Sequence, residues 1–230
     1  MSEPVIAIDG PAAVGKTTVG RRLANRLGWT FLDTGVLYRA LAWQAAKEGV
    51  PPDDEQRLAA MARDLDVQVS RPSVADGRDA DVWLAGHDVT WRLRAPAVDA
   101  TVSIVAALPA VREALVPAQR RAAAHGPAVV VGRDIGTVIF PDAALKVFLN
   151  AGAEVRARRR ALDRAARGTA SELPGILADL QRRDALDSGR AHAPLAVPPD
   201  AVLLDTDRRD ADEVVEAVLA LWRARRAGPA

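Results

Sequence analysis

One eight-residue segment near the start of the chain constrains the fold more than any other feature. Residues 10–17 read GPAAVGKT and fit the pattern G-x-x-x-x-G-K-[ST] without a mismatch. The apolar run at residues 5–8 precedes the segment and predicts a buried strand. Val19, Leu23 and Leu27 follow at four-residue spacing and predict a helix. A strand, this loop and a helix form the context in which the pattern binds phosphate, so an α/β protein is expected.

The residue types in this segment explain what it would bind. Gly10 and Gly15 allow turns that aim successive backbone N–H groups inward, and the following helix adds the positive end of its dipole. Lys16 would bridge the β- and γ-phosphates of a nucleoside triphosphate, and the Thr17 hydroxyl would ligate Mg²⁺. The predicted ATP-binding residues are Gly10, Pro11, Ala12, Ala13, Val14, Gly15, Lys16, Thr17 and Thr18. No [NT]-K-x-D guanine signature occurs, which argues against a GTPase.

Further apolar runs alternate with helical segments along the rest of the chain. The additional predicted strands lie at 30–32, 128–131, 145–149 and 201–204. The additional predicted helices lie at 35–48, 53–64, 96–107, 109–124, 153–167, 172–187 and 210–226. Five apolar strands separated by helices predict a doubly wound parallel sheet flanked by helices. Residues 67–69 and 81–84 instead alternate like half-exposed strands and predict a small β-containing insert.

Composition and net charge argue against several classes of function. The 230 residues include 31 Lys and Arg against 30 Asp and Glu, a net charge of +1, so no overall field favours nucleic acid or a membrane surface. The chain contains no cysteine, which excludes disulfides, thiol nucleophiles and cysteine metal sites. No basic leader and no membrane-length apolar run is present, so a cytoplasmic location is expected. Nothing in the sequence demands a dimer, and a monomer is expected.

Two polar segments follow predicted strands and are candidates for binding a second substrate. Asp33 and Thr34 stand at a strand's carboxyl end, where α/β ligand sites lie, and Thr34 is suited to cap the next helix. Arg39 lies just over one turn further on, and its fork can hold two phosphate oxygens. Arg133 and Asp134 follow the strand at 128–131 directly. The alternatives are an ordinary helix cap for the first segment and a loop ion pair for the second.

A basic segment lies late in the chain. Residues 156–167 hold six arginines and a single acidic residue, Asp163. The arginines are Arg156, Arg158, Arg159, Arg160, Arg164 and Arg167. In a phosphate-loop protein such a segment favours a lid that clamps phosphates. A solvated helical face and a nucleic-acid-binding surface are the other interpretations.

Taken in order, these segments resemble the bacterial cytidylate kinases, within the nucleoside monophosphate kinase family. The resemblance covers nearly the whole chain. Its specific motifs are LDTG at 32–35 with YR at 38–39, GHDVT at 86–90, PAVREAL at 109–115, GRDIGTVIFPD at 132–142, and RD-x-x-D-x-x-R at 183–190 followed by APL at 193–195. It implies a single chain unit with a phosphate-loop kinase core at 1–62 and 110–230. A lid at about 155–190 and an NMP-binding insert at about 63–109 are also implied.

The resemblance also implies an activity and a set of residues. It implies transfer of the γ-phosphoryl group of ATP to CMP or dCMP with Mg²⁺, giving CDP or dCDP and ADP, for pyrimidine nucleotide metabolism. Implied catalytic residues are Lys16, Arg133, Arg159 and Arg160. Implied CMP-binding residues are Arg39 and Arg133 for the phosphate; Ser103, Arg112, Asp134 and Arg190 for cytosine; Arg183 and Asp187 on the ribose and phosphate side; and Thr34. Thr17 is the expected Mg²⁺ ligand, with Asp33 contributing through water.

The hydrogen-bonding groups of cytosine match the donors and acceptors of the implied cytosine-binding residues. An Asp can accept from the N4 amino group, while Arg or Ser can donate to N3 and O2; uracil presents the opposite groups at two of these positions. Three alternatives stay open. The acceptor could be UMP, AMP or shikimate; the protein could be a nucleotide-binding switch without a second substrate; or it could be a nucleic-acid-binding ATPase.

Overall fold

The computed structural model describes residues 3–166, 168, 172–190 and 193–227. Their strands are β1 Val5–Asp9, β2 Thr30–Asp33, β3 Val67–Ser70, β4 Asp81–Leu84, β5 His87–Asp88, β6 Ala128–Val131, β7 Leu145–Asn150 and β8 Val202–Asp205. Their α-helices are α1 Lys16–Leu27, α2 Gly35–Lys47, α3 Glu55–Arg63, α4 Pro96–Val105, α5 Pro109–Ala122, α6 Ala153–Ala166, α7 Leu173–Ser188 and α8 Ala211–Ala227. A 3₁₀ turn at Arg92–Arg94 and a π-helical turn at Ile135–Ile139 complete the order.

The larger sheet is five-stranded and parallel, with the order β2-β6-β1-β7-β8. In its register Ile8 lies opposite Val147, and Leu149 lies opposite Leu204. Every residue of β1 and β6 is buried, as expected for parallel strands that are covered on both faces. Helices flank this sheet, and its strands stand where the five apolar runs predicted them. The predicted fold class is confirmed.

The chain divides into two compact units. The first consists of Met1–Val5 and Ala24–Val130, and the second of Ile6–Leu23 and Val131–Ala230. The bounds of the kinase core, the lid and the NMP-binding insert stay predictions. Residues 167 and 169–171, which fall within the expected lid, lie outside the described residues.

The first unit carries a small antiparallel sheet with the order β3-β4-β5. Strands β3 and β4 match the predicted pair, whereas β5 was not predicted because its two residues, His87 and Asp88, are exposed and polar. The turn before β5 consists of Ala85 and Gly86, whose φ angles are +47° and +78°. Two positive φ values in a two-residue turn match the twist of a tight hairpin, so the turn sets the pairing of β4 with β5.

Helices α4 and α5 of the same unit both begin with a proline, at a position where the missing N–H leaves no hydrogen bond unmade. Pro109 is also the first residue of the helix predicted at 109–124. Val98, Val102 and Val105 form the buried side of α4. In the part of the chain that the structure describes, no single helix is long and apolar enough to cross a membrane. By length and composition alone, α4 and α5 would qualify as a pair, bent by 106°.

An arginine-centred ion-pair network holds the loop between β3 and β4. The Arg78 guanidinium lies 2.8 Å from Asp76, 2.8 Å from Asp81 and 3.1 Å from Asp88. The Trp91 indole N–H donates to the same Asp76 carboxylate, at 2.8 Å. The Arg78 side chain thereby joins the loop to β4 and β5, and Asp76 adds the segment that carries Trp91.

The Arg78 network predicts a loss of stability in acid. Hydrogen bonds, the strongest from Arg78, hold the pKa of Asp76 well below its usual range. A lowered carboxyl pKa stabilises the folded state above the unfolded-state value of about 3.9, and the contribution is lost as pH falls through the lowered value. We therefore expect the Tm to fall as pH drops below about 4. Arg78→Met should lower the Tm at neutral pH and flatten this acid-dependent loss.

Thermal melting from neutral pH to pH 3 tests this expectation. Arg22→Met is the matched control, because Arg22 pairs with Asp212, at 2.9 Å, in the second unit and not in the network. An acid-dependent loss in Arg78→Met as steep as in the wild type would contradict the role assigned to the network.

The second unit packs two helices over the phosphate loop. Ala157 of α6 and Ile176 and Leu180 of α7 form a buried cluster with Ala12 of the loop. The predicted loop and the expected lid helices therefore share one small apolar core.

Candidate active site

The phosphate loop connects β1 to α1, as predicted. Gly10 has a φ of +147°, and a Cβ there would lie 2.2 Å from the carbonyl oxygen of Leu149 in β7. Both the backbone angle and the close approach therefore require glycine at this position. Ala13 and Gly15 also have positive φ values, of 60° and 101°. These alternating conformations are those that turn successive N–H groups toward an anion.

Lys16 is the first residue of α1, and its side chain folds back over the loop. Its Nζ atom donates to the carbonyl oxygens of Gly10 at 2.6 Å and Pro11 at 2.7 Å. The residue is only 8% exposed, so the aliphatic stem is packed and the ammonium group is held at the loop. A fixed cation and a helix N-terminus together favour a polyphosphate.

Asp9, the last residue of β1, contributes to the site although sequence reasoning did not select it. It is 1% exposed, and its two carboxylate oxygens accept hydrogen bonds from the backbone N–H groups of Ile135 and Gly136, both at 2.8 Å. Burial raises the pKa of the Asp9 carboxyl to about 6, while the two N–H groups and Lys16 act in the opposite direction. The signal in the sequence was an acidic residue ending an otherwise apolar strand, next to the loop.

Arg133 is held by a carboxylate of α7. Its Nε atom donates to Asp187 at 2.9 Å, and Arg190 pairs with the other oxygen of the same carboxylate. Three of the predicted CMP ligands therefore lie together. Asp134 is buried next to Arg133, and Arg183 is half-buried on α7. The carboxylate that pairs with Arg133 at 2.9 Å is that of Asp187, on α7.

The arginines of α6 differ in their hydrogen-bond partners and in their burial. Arg159 donates to the Thr206 hydroxyl at 3.0 Å and to the carbonyl oxygen of Val14 at 3.4 Å, which places its charge beside the phosphate loop. Arg160 is half-buried on the same helix. The catalytic roles of both arginines stay predictions.

Arg156 is buried and was not among the selected site residues. It donates to the carbonyl oxygen of Ala12 in the phosphate loop at 3.2 Å and pairs with Asp184 of α7 at 2.7 Å. Arg156 thus joins the phosphate loop to α7. In the sequence it was only one of six arginines in a basic segment.

In the first unit, Arg39 of α2 is oriented by α4 and the turn before it. Its Nη1 atom donates to the Leu93 carbonyl oxygen at 3.0 Å and to the Asp99 carboxylate at 2.7 Å. Ser103 follows Asp99 by four residues, so the two residues share one face of α4. Arg39 is therefore positioned beside the helix that carries Ser103.

Arg112 is buried at the start of α5 although it carries a charge. Its guanidinium lies 5.4 Å from the centroid of the Tyr38 ring, and Nη1 donates to the Ala106 carbonyl oxygen at 3.1 Å. A buried arginine stacked on an aromatic ring is a rigid hydrogen-bond donor.

The expectation that Thr34 caps the following helix is wrong. Thr34 stands before α2 and is buried, but its side chain does not cap the helix. The preceding residue does so instead, because the Asp33 carboxylate accepts from the Gly35 N–H at 3.0 Å. Thr34 has φ −64° and ψ −19°, which is helical rather than the extended geometry of a capping residue. The proposed part of Asp33 in binding Mg²⁺ through water stays a prediction.

The donor set fits a magnesium ion that enters with a nucleotide. Among the described residues no group of three or more histidines and carboxylates is arranged to hold a metal ion by itself. Mg²⁺ in nucleotide sites commonly uses one or two protein ligands, several waters and substrate phosphates. Thr17, the second residue of α1, directly follows the lysine of the loop and is the residue type that this arrangement uses.

Comparison with known proteins gives a consistent result. Residues 6–224 match the family model described as cytidylate kinase. The chain is 48% identical to a cytidylate kinase of Herpetosiphon aurantiacus over 216 residues, which cover 94% of this chain and 93% of that protein. It is 46% identical to a bifunctional pantoate ligase/cytidylate kinase of Synechococcus elongatus over 226 residues. The match covers 98% of this chain but only 43% of the length of the bifunctional protein.

A solved structure of an uncharacterized protein from Eubacterium ventriosum has a TM-score of 0.51. The match covers 97% of this chain and 99% of that one at 12% identity, so it supports the fold alone. The residues that match the family model, 6–224, include the phosphate loop, Arg133–Asp134 and the α7 motif. The chain belongs to the cytidylate kinase family.

Proposed function

We propose that the protein transfers the γ-phosphoryl group of ATP to CMP or dCMP, giving ADP and the nucleoside diphosphate. The observation that carries the proposal lies within the second unit. The phosphate loop and the Arg133–Asp134 segment leave neighbouring strands, and the Gly132 N–H donates to the Ile8 carbonyl oxygen at 3.1 Å. A loop suited to a donor triphosphate thus begins next to an arginine suited to an acceptor phosphate.

The proposed assignments follow the chemistry of the two substrates. Lys16 neutralises the β- and γ-phosphates of ATP, and Arg39 and Arg133 bind the acceptor phosphate. Arg159 and Arg160 neutralise charge on the transferring group. The acceptor oxygen is a phosphate oxygen, which is largely ionised near neutral pH, so no general base is required. Catalysis then depends on positioning and on charge neutralisation.

Base selection is assigned to buried or rigid polar groups. Asp134 accepts from the cytosine amino group, and Arg112, Ser103 and Arg190 donate to the ring acceptors. UMP would leave such buried groups unpaired, which favours cytosine strongly. Asp187, Arg183 and Thr34 complete the proposed acceptor contacts.

Mg²⁺ is proposed to bind with ATP at Thr17. When bound, the ion supplies positive charge that the phosphates share during transfer. The residues of the chain do the remainder: Lys16 and the loop N–H groups hold the phosphates, and the arginines of α6 and α7 add charge.

Arg133→Ala should reduce kcat/KM for CMP by about 10–150-fold, since a lost charge-assisted contact costs about 1.5–3 kcal/mol. Arg182→Ala is the matched control: it removes an arginine of α7 that is 73% exposed and pairs with Asp179. We expect the control to behave like the wild type. Wild-type kinetics for Arg133→Ala would remove Arg133 from the acceptor site.

Release of ADP with Mg-ATP tests the function directly, using CMP, dCMP, UMP, AMP, GMP and shikimate as acceptors. We expect turnover with CMP and dCMP. Turnover confined to another acceptor would keep a kinase but overturn the cytosine assignments. Absence of acceptor-dependent turnover, with ATP still bound, would favour a nucleotide-binding switch.

A further inference from the structure

Asp9 makes an unusual connection for the last residue of a buried strand. It is 1% exposed and immediately precedes Gly10, the first residue of the phosphate loop. Each of its carboxylate oxygens accepts a different backbone N–H, from Ile135 and from Gly136, both at 2.8 Å. These partners are 126 and 127 residues away in the chain and follow β6 rather than β1.

The partners of Asp9 are the first two residues of the π-helical turn at Ile135–Ile139. The first N–H groups of any helical turn lack an acceptor within the turn. Asp134 stands at the capping position but makes no capping hydrogen bond with its side chain. The carboxylate of Asp9 therefore does the capping from another strand.

The segment between β6 and this turn is consequently fixed at both ends. On one side the Gly132 N–H donates to the carbonyl oxygen of Ile8, at 3.1 Å. On the other side Asp9 holds Ile135 and Gly136. Just two residues lie between these anchors, Arg133 and Asp134, and both anchors belong to the last two residues of β1.

We propose that Asp9 is a positioning residue for acceptor recognition, which fixes the backbone that carries Arg133 and Asp134 and ties it to the first glycine of the phosphate loop. This inference rests on the proposed function. It assigns to β1 a part in choosing the acceptor as well as in holding ATP. The geometry of the acceptor phosphate and base relative to the donor phosphates then depends on one carboxylate.

The chemistry of the contact requires a carboxylate. Both oxygens act as acceptors, and an asparagine in the same place would present an NH₂ group to one of the two backbone donors. Burial raises the pKa of Asp9 to about 6, so the group is mainly ionised at pH 7 and above, where it can accept at both oxygens. A buried N–H without an acceptor would move the backbone or weaken the anchor.

Asp9→Asn tests the proposal with two readouts. First, amide hydrogen exchange at Ile135 and Gly136 should accelerate by about tenfold or more, because one anchor is lost. Second, kcat/KM for CMP should fall by about 10–100-fold. The ratio of kcat/KM for CMP to that for UMP should fall by about fivefold or more. KM for ATP should change by less than about threefold. A merely structural role would lower the Tm without changing the acceptor ratio.

Asp210→Asn is the matched control. Asp210 also accepts two backbone N–H groups, from Asp212 and Glu213, each at 2.9 Å, but it does so at the start of α8. Both N–H groups bond to Oδ1, which the amide of asparagine keeps, so we expect this control to retain both its stability and the CMP-to-UMP ratio. If Asp9→Asn does not fold, Asp9→Ser is used instead, because serine is smaller and keeps one acceptor oxygen. We expect hydrogen exchange and the CMP-to-UMP ratio to change in the same directions.

Each combination of hydrogen exchange and acceptor ratio either supports or overturns the proposal. Faster exchange together with a reduced CMP-to-UMP ratio supports the proposal. Unchanged exchange at Ile135 and Gly136 overturns it, and so does faster exchange with an unchanged ratio. Failure of the proposed function would appear in the wild-type protein alone, as absence of CMP-dependent turnover, before any variant is compared.

Discussion

Lys16→Met is expected to lower kcat by about 10²–10³-fold, the loss typical of removing one preorganised donor from a developing charge. The Nζ atom of Lys16 is held 2.6 Å from the Gly10 carbonyl oxygen and 2.7 Å from that of Pro11, so the cation is positioned before any substrate binds. Methionine keeps most of the packed stem and removes the charge. KM for ATP should rise less than kcat falls, because the loop N–H groups still bind phosphate.

Steady-state kinetics and thermal melting of the same preparations measure this effect. Lys47→Met is the matched control, since Lys47 is an exposed lysine at the end of α2, 5.5 Å from the centroid of the Trp43 ring. The control should keep kcat within roughly twofold of the wild type, as expected for a surface substitution. A kcat for Lys16→Met within about threefold of the wild type would contradict the electrostatic role of Lys16.

Gly10→Ala is expected to destabilise the protein by about 3 kcal/mol or more and to abolish tight ATP binding. Two costs add. Backbone strain at a positive φ costs about 1–3 kcal/mol, and forced overpacking about 1–3 kcal/mol or more. The second cost arises because the new Cβ would lie 2.2 Å from the Leu149 carbonyl oxygen, a backbone atom of β7 that cannot rotate away.

Gly126→Ala separates the two costs. Gly126 has a φ of +122°, close to the +147° of Gly10, but a Cβ there would meet nothing within 4 Å. Chemical denaturation should show only the strain cost for Gly126→Ala, about 1–3 kcal/mol, and a larger one for Gly10→Ala. Equal destabilisation of the two variants would mean that the approach of Leu149 does not limit this position.

Features that depend on neighbours in sequence were predicted well. The strands of the large sheet, the phosphate loop and the proline starts of α4 and α5 all appear where local patterns placed them. These features come from periodicity, turn chemistry and backbone restrictions, which act over a few residues.

Features that depend on distant partners were missed. Asp9 caps a turn 126 residues away, and Arg156 reaches Ala12 across 144 residues. No local pattern distinguishes Arg156 from the other arginines of α6, because its burial is decided by α7 and the loop. The capping expectation for Thr34 failed for a related reason: Asp33, one residue earlier, already supplies the acceptor.

The fate of the γ-phosphate tests the proposed transfer of phosphate to cytidine monophosphate. ATP labelled with ³²P at the γ-position is incubated with the protein, Mg²⁺ and CMP or UMP, and the labelled products are separated. We expect the label to appear in CDP, with ADP formed in equal amount, and UMP to accept far less. Label released as inorganic phosphate, or carried equally by CDP and UDP, would contradict it.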